Sequence, residues 1–192
     1  MLRAFLIYLS KAGWARAIVT RFGPFRKMAL RFVSGETLES AISTVKALNA
    51  DGLLATIDHL GEDIETNEEA IQAKNNVLDL IQAIEVSGVK SNVSIKLTQL
   101  GLLLDPALCA KNLEEILAAG KKANMLVRID MEDSPVIDQT LELYFRAKKA
   151  GYNNIGLVFQ SYLFRTEADA RFVLEENVPI RLVKGAYNEP PE

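Results

Sequence analysis

From residue 53 onward, short apolar runs alternate with longer amphipathic stretches. The runs are "LLATID" (53–58), "NVSIKL" (92–97), "MLVRID" (125–130), "IGLVFQ" (155–160) and "IRLVK" (180–184). Between them lie "NEEAIQAKNNVLDLIQAIEVSG", "DPALCAKNLEEILAAGKKAN", "SPVIDQTLELYFRAKKAGY" and "TEADARFVLEEN". Each of these starts near Ser, Thr, Asp or Asn, and most end near Gly or Asn, the chemistry of helix caps. An earlier stretch, "SGETLESAISTVKALNADG", opens at Ser34 or Thr37 and closes on Gly52, with Leu38, Ile42, Val45 and Leu48 on one helical face. Strand–helix alternation predicts βαβ units and a parallel sheet.

The polar residues inside the apolar runs separate two architectures. Asp58, Lys96, Asp130 and Gln160, and Arg181 with Lys184, sit at or near the C-terminal ends of their strands. A barrel enzyme gathers its chemistry on that rim from several strands, whereas an open doubly wound sheet concentrates it at one switch point. The pattern favours a (β/α)8 barrel of TIM type, here reaching about five βα units. Neither G-x-G-x-x-G after a strand nor a P-loop is present, so side chains and strand-end backbone must hold any phosphate-bearing cofactor. "IRLVKGAY" (180–187) has the apolar content of a strand buried on both faces, yet it carries two cations. Their desolvation requires either water at the strand end or a bound anion.

Composition changes this picture little. The chain is 49% hydrophobic and 24% charged, ordinary for a globular protein. The net charge of −3 hides an asymmetry, because residues 1–35 hold seven Arg or Lys and no acid. That segment reads as a pair of basic amphipathic helices, distinct from the barrel of residues 36–192. Its interleaved cations and apolar residues suit a peripheral dock on anionic lipid, while the acidic remainder argues against nucleic acid. Cys109 is the only cysteine, so no intrachain disulfide forms, and its amphipathic setting places it as buried filler. No stretch approaches a bilayer span and no signal cleavage site follows the start, which points to the cytoplasm.

Lys96 and Asp130 form a candidate charge pair in a cleft. Lys96 suits either a Schiff-base nucleophile or a fixed cation for a carboxylate. In "RIDMEDS" (128–134), Asp133 or Ser134 is the expected helix cap and Asp130 the site residue. The acids are scattered one per strand without metal-ligand spacing, and His59 stands alone, so no metal is expected.

"DHLGE" (58–62), "SIKLTQLGL", "RIDMEDS", "GLVFQSYLFRT" and "IRLVKGAYNEP", in this order and spacing, resemble the proline dehydrogenases, and "FVSGETLESAI" resembles their bacterial single-function members. The resemblance implies a barrel that uses FAD to oxidise L-proline to Δ1-pyrroline-5-carboxylate in proline catabolism and passes electrons to membrane quinone. It implies that Lys96 holds the substrate carboxylate, that Asp130 is the active-site aspartate, and that Met131 contacts flavin. Gln160 would hydrogen-bond the isoalloxazine, and Arg181 would lie near its reactive nitrogen. Lys184, Gly185 and Ala186 would contact flavin, Tyr187 the substrate, and Glu62 would close over it as a gate. Family members carry three more strands and a last helix with further substrate contacts, so 192 residues are expected to be an N-terminal fragment that binds flavin weakly and turns over little proline. The competing readings are a lysine Schiff-base aldolase on the same barrel and a non-catalytic half-barrel completed by a partner.

Overall fold

The computed structural model describes residues 34–35, 37–59, 61, 64–174 and 178–185. The basic segment 1–33, Glu62, Ala186 and Tyr187 lie outside the described residues. Helix α1 (Leu38–Ala50) begins at Thr37, whose side chain accepts from Ser40 N while Ser40 answers at the Thr37 backbone. This reciprocal capping box satisfies two otherwise orphaned donors. Strand β1 (Ala55–Asp58) leads to α2 (Asn67–Ser87), capped by Thr66 and Glu69 in the same way and closed by Gly88 at φ 68°. There follow β2 (Ser91–Ile95), α3 (Pro106–Lys122) behind the Asp105 cap, β3 (Val127–Ile129), α4 (Ile137–Lys149), β4 (Ile155–Gln160), α5 (Thr166–Leu174) and β5 (Ile180–Val183).

All five strands pair in parallel in the order β1-β2-β3-β4-β5. The order never reverses, so the sheet has no switch point and the doubly wound alternative falls away. Its curvature follows from one contact. In a flat sheet β2 and β5 stand about 14 Å apart with side chains perpendicular to the plane. Yet Arg181 Nη2 on β5 lies 3.3 Å from Ser94 Oγ on β2. The strands therefore curl toward each other, as in part of a barrel.

The two faces differ by the period-two alternation of strands. Ile57, Val93, Ile95, Val127, Ile129, Ile155, Leu157 and Phe159 turn outward, and all but Ile57 are buried under the helices. Asp58, Ser94, Lys96, Arg128, Asp130, Gln160 and Arg181 share the inner, concave face. Register holds Asp58 opposite Ser94, Ser94 opposite Arg128, and Arg128 opposite Gly156. No helix among the described residues is long and apolar enough to cross a membrane.

Two expectations need correction. Strand β5 is not buried on both faces: Ile180 and Leu182 on its outer side are 39% and 67% exposed. It is the last strand of the described sheet, and the described residues cover that side only in part. Asp133 stands at the N-terminus of a single 3-10 turn (Ser134–Val136) without a side-chain capping bond, and α4 proper starts at Ile137. Pro135 supplies the pre-set φ of that turn instead.

Cys109 is fully buried, its thiol beside the Leu97 carbonyl, and burial pushes its pKa up to about 12. Thiolate is the reactive form, so a disulfide-exchange reagent should leave the native protein unlabelled and titrate one thiol after denaturation. Labelling under native conditions at the denatured rate would contradict this packing.

Candidate active site

The concave face carries a connected polar network built by four strands. Lys96 Nζ, one residue past β2, donates to Asp58 Oδ2 at the end of β1, 2.6 Å away, and lies 3.8 Å from Asp130 Oδ2 just past β3. Asp130 Oδ1 accepts from Ser94 Oγ at 2.8 Å and from Arg181 Nη2 at 2.5 Å. One carboxylate at the end of β3 thus organises a serine and a lysine from β2 and an arginine from β5. The side chains of Lys96, Asp58, Asp130 and Arg181 remain 22%, 26%, 18% and 36% exposed, so the network is reachable by a ligand rather than sealed.

Among the described strand residues, Lys96, Arg128 and Arg181 face two carboxylates, Asp58 and Asp130, and the Glu132 carboxyl at the rim is coupled to Lys96. Arg128 Nε and Nη1 and Arg181 Nε are buried without an acceptor, as is Asp58 Oδ1 without a donor. Burial, then the charge of Arg181, lowers the affinity of Arg128 for its proton, and Asp130 opposes them. An open cleft of about 150 Å³ adjoins Lys96, Asp58 and Ser94 and extends toward Gln99 and Glu69.

A second set of bonds fixes the rim. Gln160, 2% exposed, donates through Nε2 to the carbonyls of Met131 and Glu132, at 3.1 and 2.7 Å. Glu132 in turn accepts from Thr98 N at 3.1 Å and Thr98 Oγ1 at 2.5 Å. The loops after β2, β3 and β4 are therefore tied together, and Met131 is buried between them. Burial raises the Glu132 pKa, with the two Thr98 bonds opposing it. A carboxyl group with a raised folded pKa favours the fold in its protonated form. Its contribution is complete below the unfolded value and is lost as pH rises through the folded one. The stability of the native protein relative to Glu132→Gln should accordingly increase as pH falls from 7 toward 4, in paired denaturation curves. A constant difference across that range would contradict the assignment.

Gly185 has φ +97°, and a Cβ there would meet Tyr162 Cδ1 at 2.0 Å. The structure thus gives this glycine a reason of its own, the packing of Tyr162 across the end of β5. Gly185→Ala should cost about 1–3 kcal/mol from backbone strain and overlap, read as a lowered denaturation midpoint. An unchanged midpoint would mean that the turn relaxes freely.

Of the residues singled out from sequence, Lys96, Asp130 and Arg181 converge on one network. Gln160 and Met131 lie directly behind it. Lys184, just past β5, is exposed, with its carbonyl accepting from Tyr162 N at 3.1 Å. Ser94 and Arg128 were not singled out, and Asp58 was noted only as a strand end. Their signal was alternation: Ser94 precedes Lys96 by two, and Arg128 precedes Asp130 by two, which puts each pair on one face.

The model of the family described as Proline dehydrogenase matches residues 41–190. Proline dehydrogenase 1 of Bacillus subtilis (strain 168) is 42% identical over 98% of this chain and 62% of its own length. The proline dehydrogenase of Deinococcus radiodurans is 39% identical over 85% of this chain and 54% of its own. The chain therefore spans about six-tenths of the length of the Bacillus relative. Among solved structures, proline utilization A from Bdellovibrio bacteriovorus, inactivated by N-propargylglycine, superposes with a TM-score of 0.75 at 25% identity, over 91% of this chain and 21% of that one.

Proposed function

Because this chain belongs to the proline dehydrogenase family, we propose that its concave face binds FAD and L-proline and serves the oxidation of L-proline to Δ1-pyrroline-5-carboxylate. The observation that carries this reading is the convergence of Lys96, Asp130, Ser94 and Arg181 from β2, β3 and β5 on one ligand-accessible network. The donor set fits a flavin, since the described strand residues of the face hold three cations to two carboxylates, and buried guanidinium nitrogens without acceptors. Arg181, Lys184, Gly185 and Ala186 would hold it, with Met131 and Gln160 behind. When bound, flavin supplies the acceptor for the hydride that leaves the ring carbon beside the proline nitrogen.

The chain's own residues do the rest. Lys96 grips the substrate carboxylate by its ammonium. Asp130 fixes Arg181 so that its positive charge stands ready where negative charge develops, at no cost of reorganisation. Gln160 locks the Met131–Glu132 backbone and thereby the position of Asp130. Tyr187 contributes to the substrate pocket and Glu62 closes over it. Quinone is the proposed electron acceptor, and residues 1–35 the proposed contact with the membrane that holds it, with the protein on the cytoplasmic side. Co-sedimentation with anionic but not neutral vesicles is the expected result for that segment.

The aldolase reading is not favoured. Lys96 is ion-paired with Asp58, the state in which it holds an anion rather than attacks a carbonyl. Product analysis tests the assignment. L-proline and a soluble quinone should yield Δ1-pyrroline-5-carboxylate, captured with o-aminobenzaldehyde, and borohydride should trap no carbonyl adduct on lysine. A trapped lysine adduct without the pyrroline would reverse the two readings.

A further inference from the structure

We propose that Arg128 and Arg181 form a second anion seat on the concave face, separate from Lys96, which takes one carboxylate-sized monoanion. This rests on the concave face being the ligand site proposed above. Arg128 lies two residues below Asp130 on β3, hence about 7 Å further from the rim. It stands opposite Gly156 on one side and Ser94 on the other. Arg128 packs over the Gly156 backbone, since a Cβ there would lie 3.7 Å from Arg128 Nη1, in ordinary contact, and 2.8 Å from the Pro179 carbonyl. Arg181 enters the same region from β5, beside Val158 on β4, which offers no counter-charge.

Three observations converge on an anion. Arg128 Nε and Nη1 and Arg181 Nε are buried donors without acceptors. Such groups are costly unless something pairs with them. The nearest carboxylate, Asp130, already accepts from Ser94 and from Arg181 Nη2. Glu132 is taken up by Thr98 and adds no acceptor to Arg128. Among the described strand residues of this face, Lys96, Arg128 and Arg181 also outnumber Asp58 and Asp130, a count that one bound monoanion evens. Two guanidinium groups side by side repel, and a bound monoanion converts that repulsion into two charge-assisted contacts.

The test uses the full chain with its arginine Nε–H signals resolved by NMR, with acetate as the probe. The Arg128 and Arg181 signals should shift together along one saturable curve, and acetate should raise the denaturation midpoint of the native protein. Arg128→Met should have a midpoint about 3 °C higher than the native protein without acetate, because one buried cation is gone, and should lose both the acetate response and the Arg181 shift. No saturable shift, or an Arg181 shift unchanged in Arg128→Met, overturns the seat. If Arg128→Met does not fold, the paired shifts in the native chain decide the matter alone. Two further titrations identify the physiological source. A shift of the same pair by L-proline assigns the seat to a substrate carboxylate, and a shift only by FAD after reduction assigns it to the ionised cofactor. Because acetate binding is read without turnover or flavin, the seat and the proline-oxidation reading can fail independently.

Discussion

Asp130→Asn is expected to slow proline-dependent flavin reduction about 100- to 1,000-fold, the scale set by loss of one preorganised electrostatic contact. The native carboxylate accepts from Ser94 and Arg181 and lies 3.8 Å from the Lys96 ammonium. An amide of the same shape offers one acceptor and turns N–H groups toward cations. Arg181 then loses its orientation, and its charge no longer stands where reduction needs it. The fold should lose about 2 kcal/mol. That is less than the full penalty of a broken buried pair, because Arg181 remains 36% exposed and water screens it. Rapid-mixing absorbance at matched flavin content gives the rate, and denaturant curves give the stability. An unchanged rate with intact flavin content would remove Asp130 from the mechanism.

Lys96→Met should lower kcat/KM for L-proline by about 100-fold or more, mostly through KM, which corresponds to about 3 kcal/mol of lost transition-state stabilisation. The substitution removes the cation between Asp58 and Asp130. It leaves two carboxylates facing a substrate carboxylate, so attraction becomes repulsion. Flavin content should be nearly unaffected, since Lys96 is assigned to the substrate and Arg181 to the cofactor. A large flavin loss with an unchanged KM in the remaining holoprotein would transfer Lys96 to cofactor binding.

Much of this arrangement was legible in the sequence because strands and helices carry different periods. "IGLVFQ" coincides with β4, whose six residues are all buried. Other runs lost residues at their ends: Leu53 and Leu54 precede β1 and are exposed, because pairing with β2 begins only at Ala55. Asp58, Lys96 and Asp130 were visible as polar residues where an apolar run should continue. Arg128 and Ser94 escaped notice for a physical reason. Within "LVRID" and "NVSIK" they read as interruptions of the strand. Only the parallel register and the curl of the sheet bring them to Asp130 and Arg181. The exposed outer side of β5 was hidden for the same reason: apolar content predicts burial, but the number of neighbouring elements decides it. The rim clamp of Gln160, Glu132 and Thr98 depends on contacts across 28 or more residues, which no local pattern encodes.

The most direct test of the central claim is the visible absorption spectrum of the FAD-loaded, desalted protein, recorded without oxygen before and after L-proline. Since the resemblance implies weak flavin binding by these 192 residues, the account predicts that the flavin surviving desalting bleaches on adding L-proline and returns with quinone, and stays unbleached in Asp130→Asn at the same flavin content and substrate concentration over the same interval. A retained band indifferent to L-proline in the native protein, or one that bleaches equally in the variant, would contradict it.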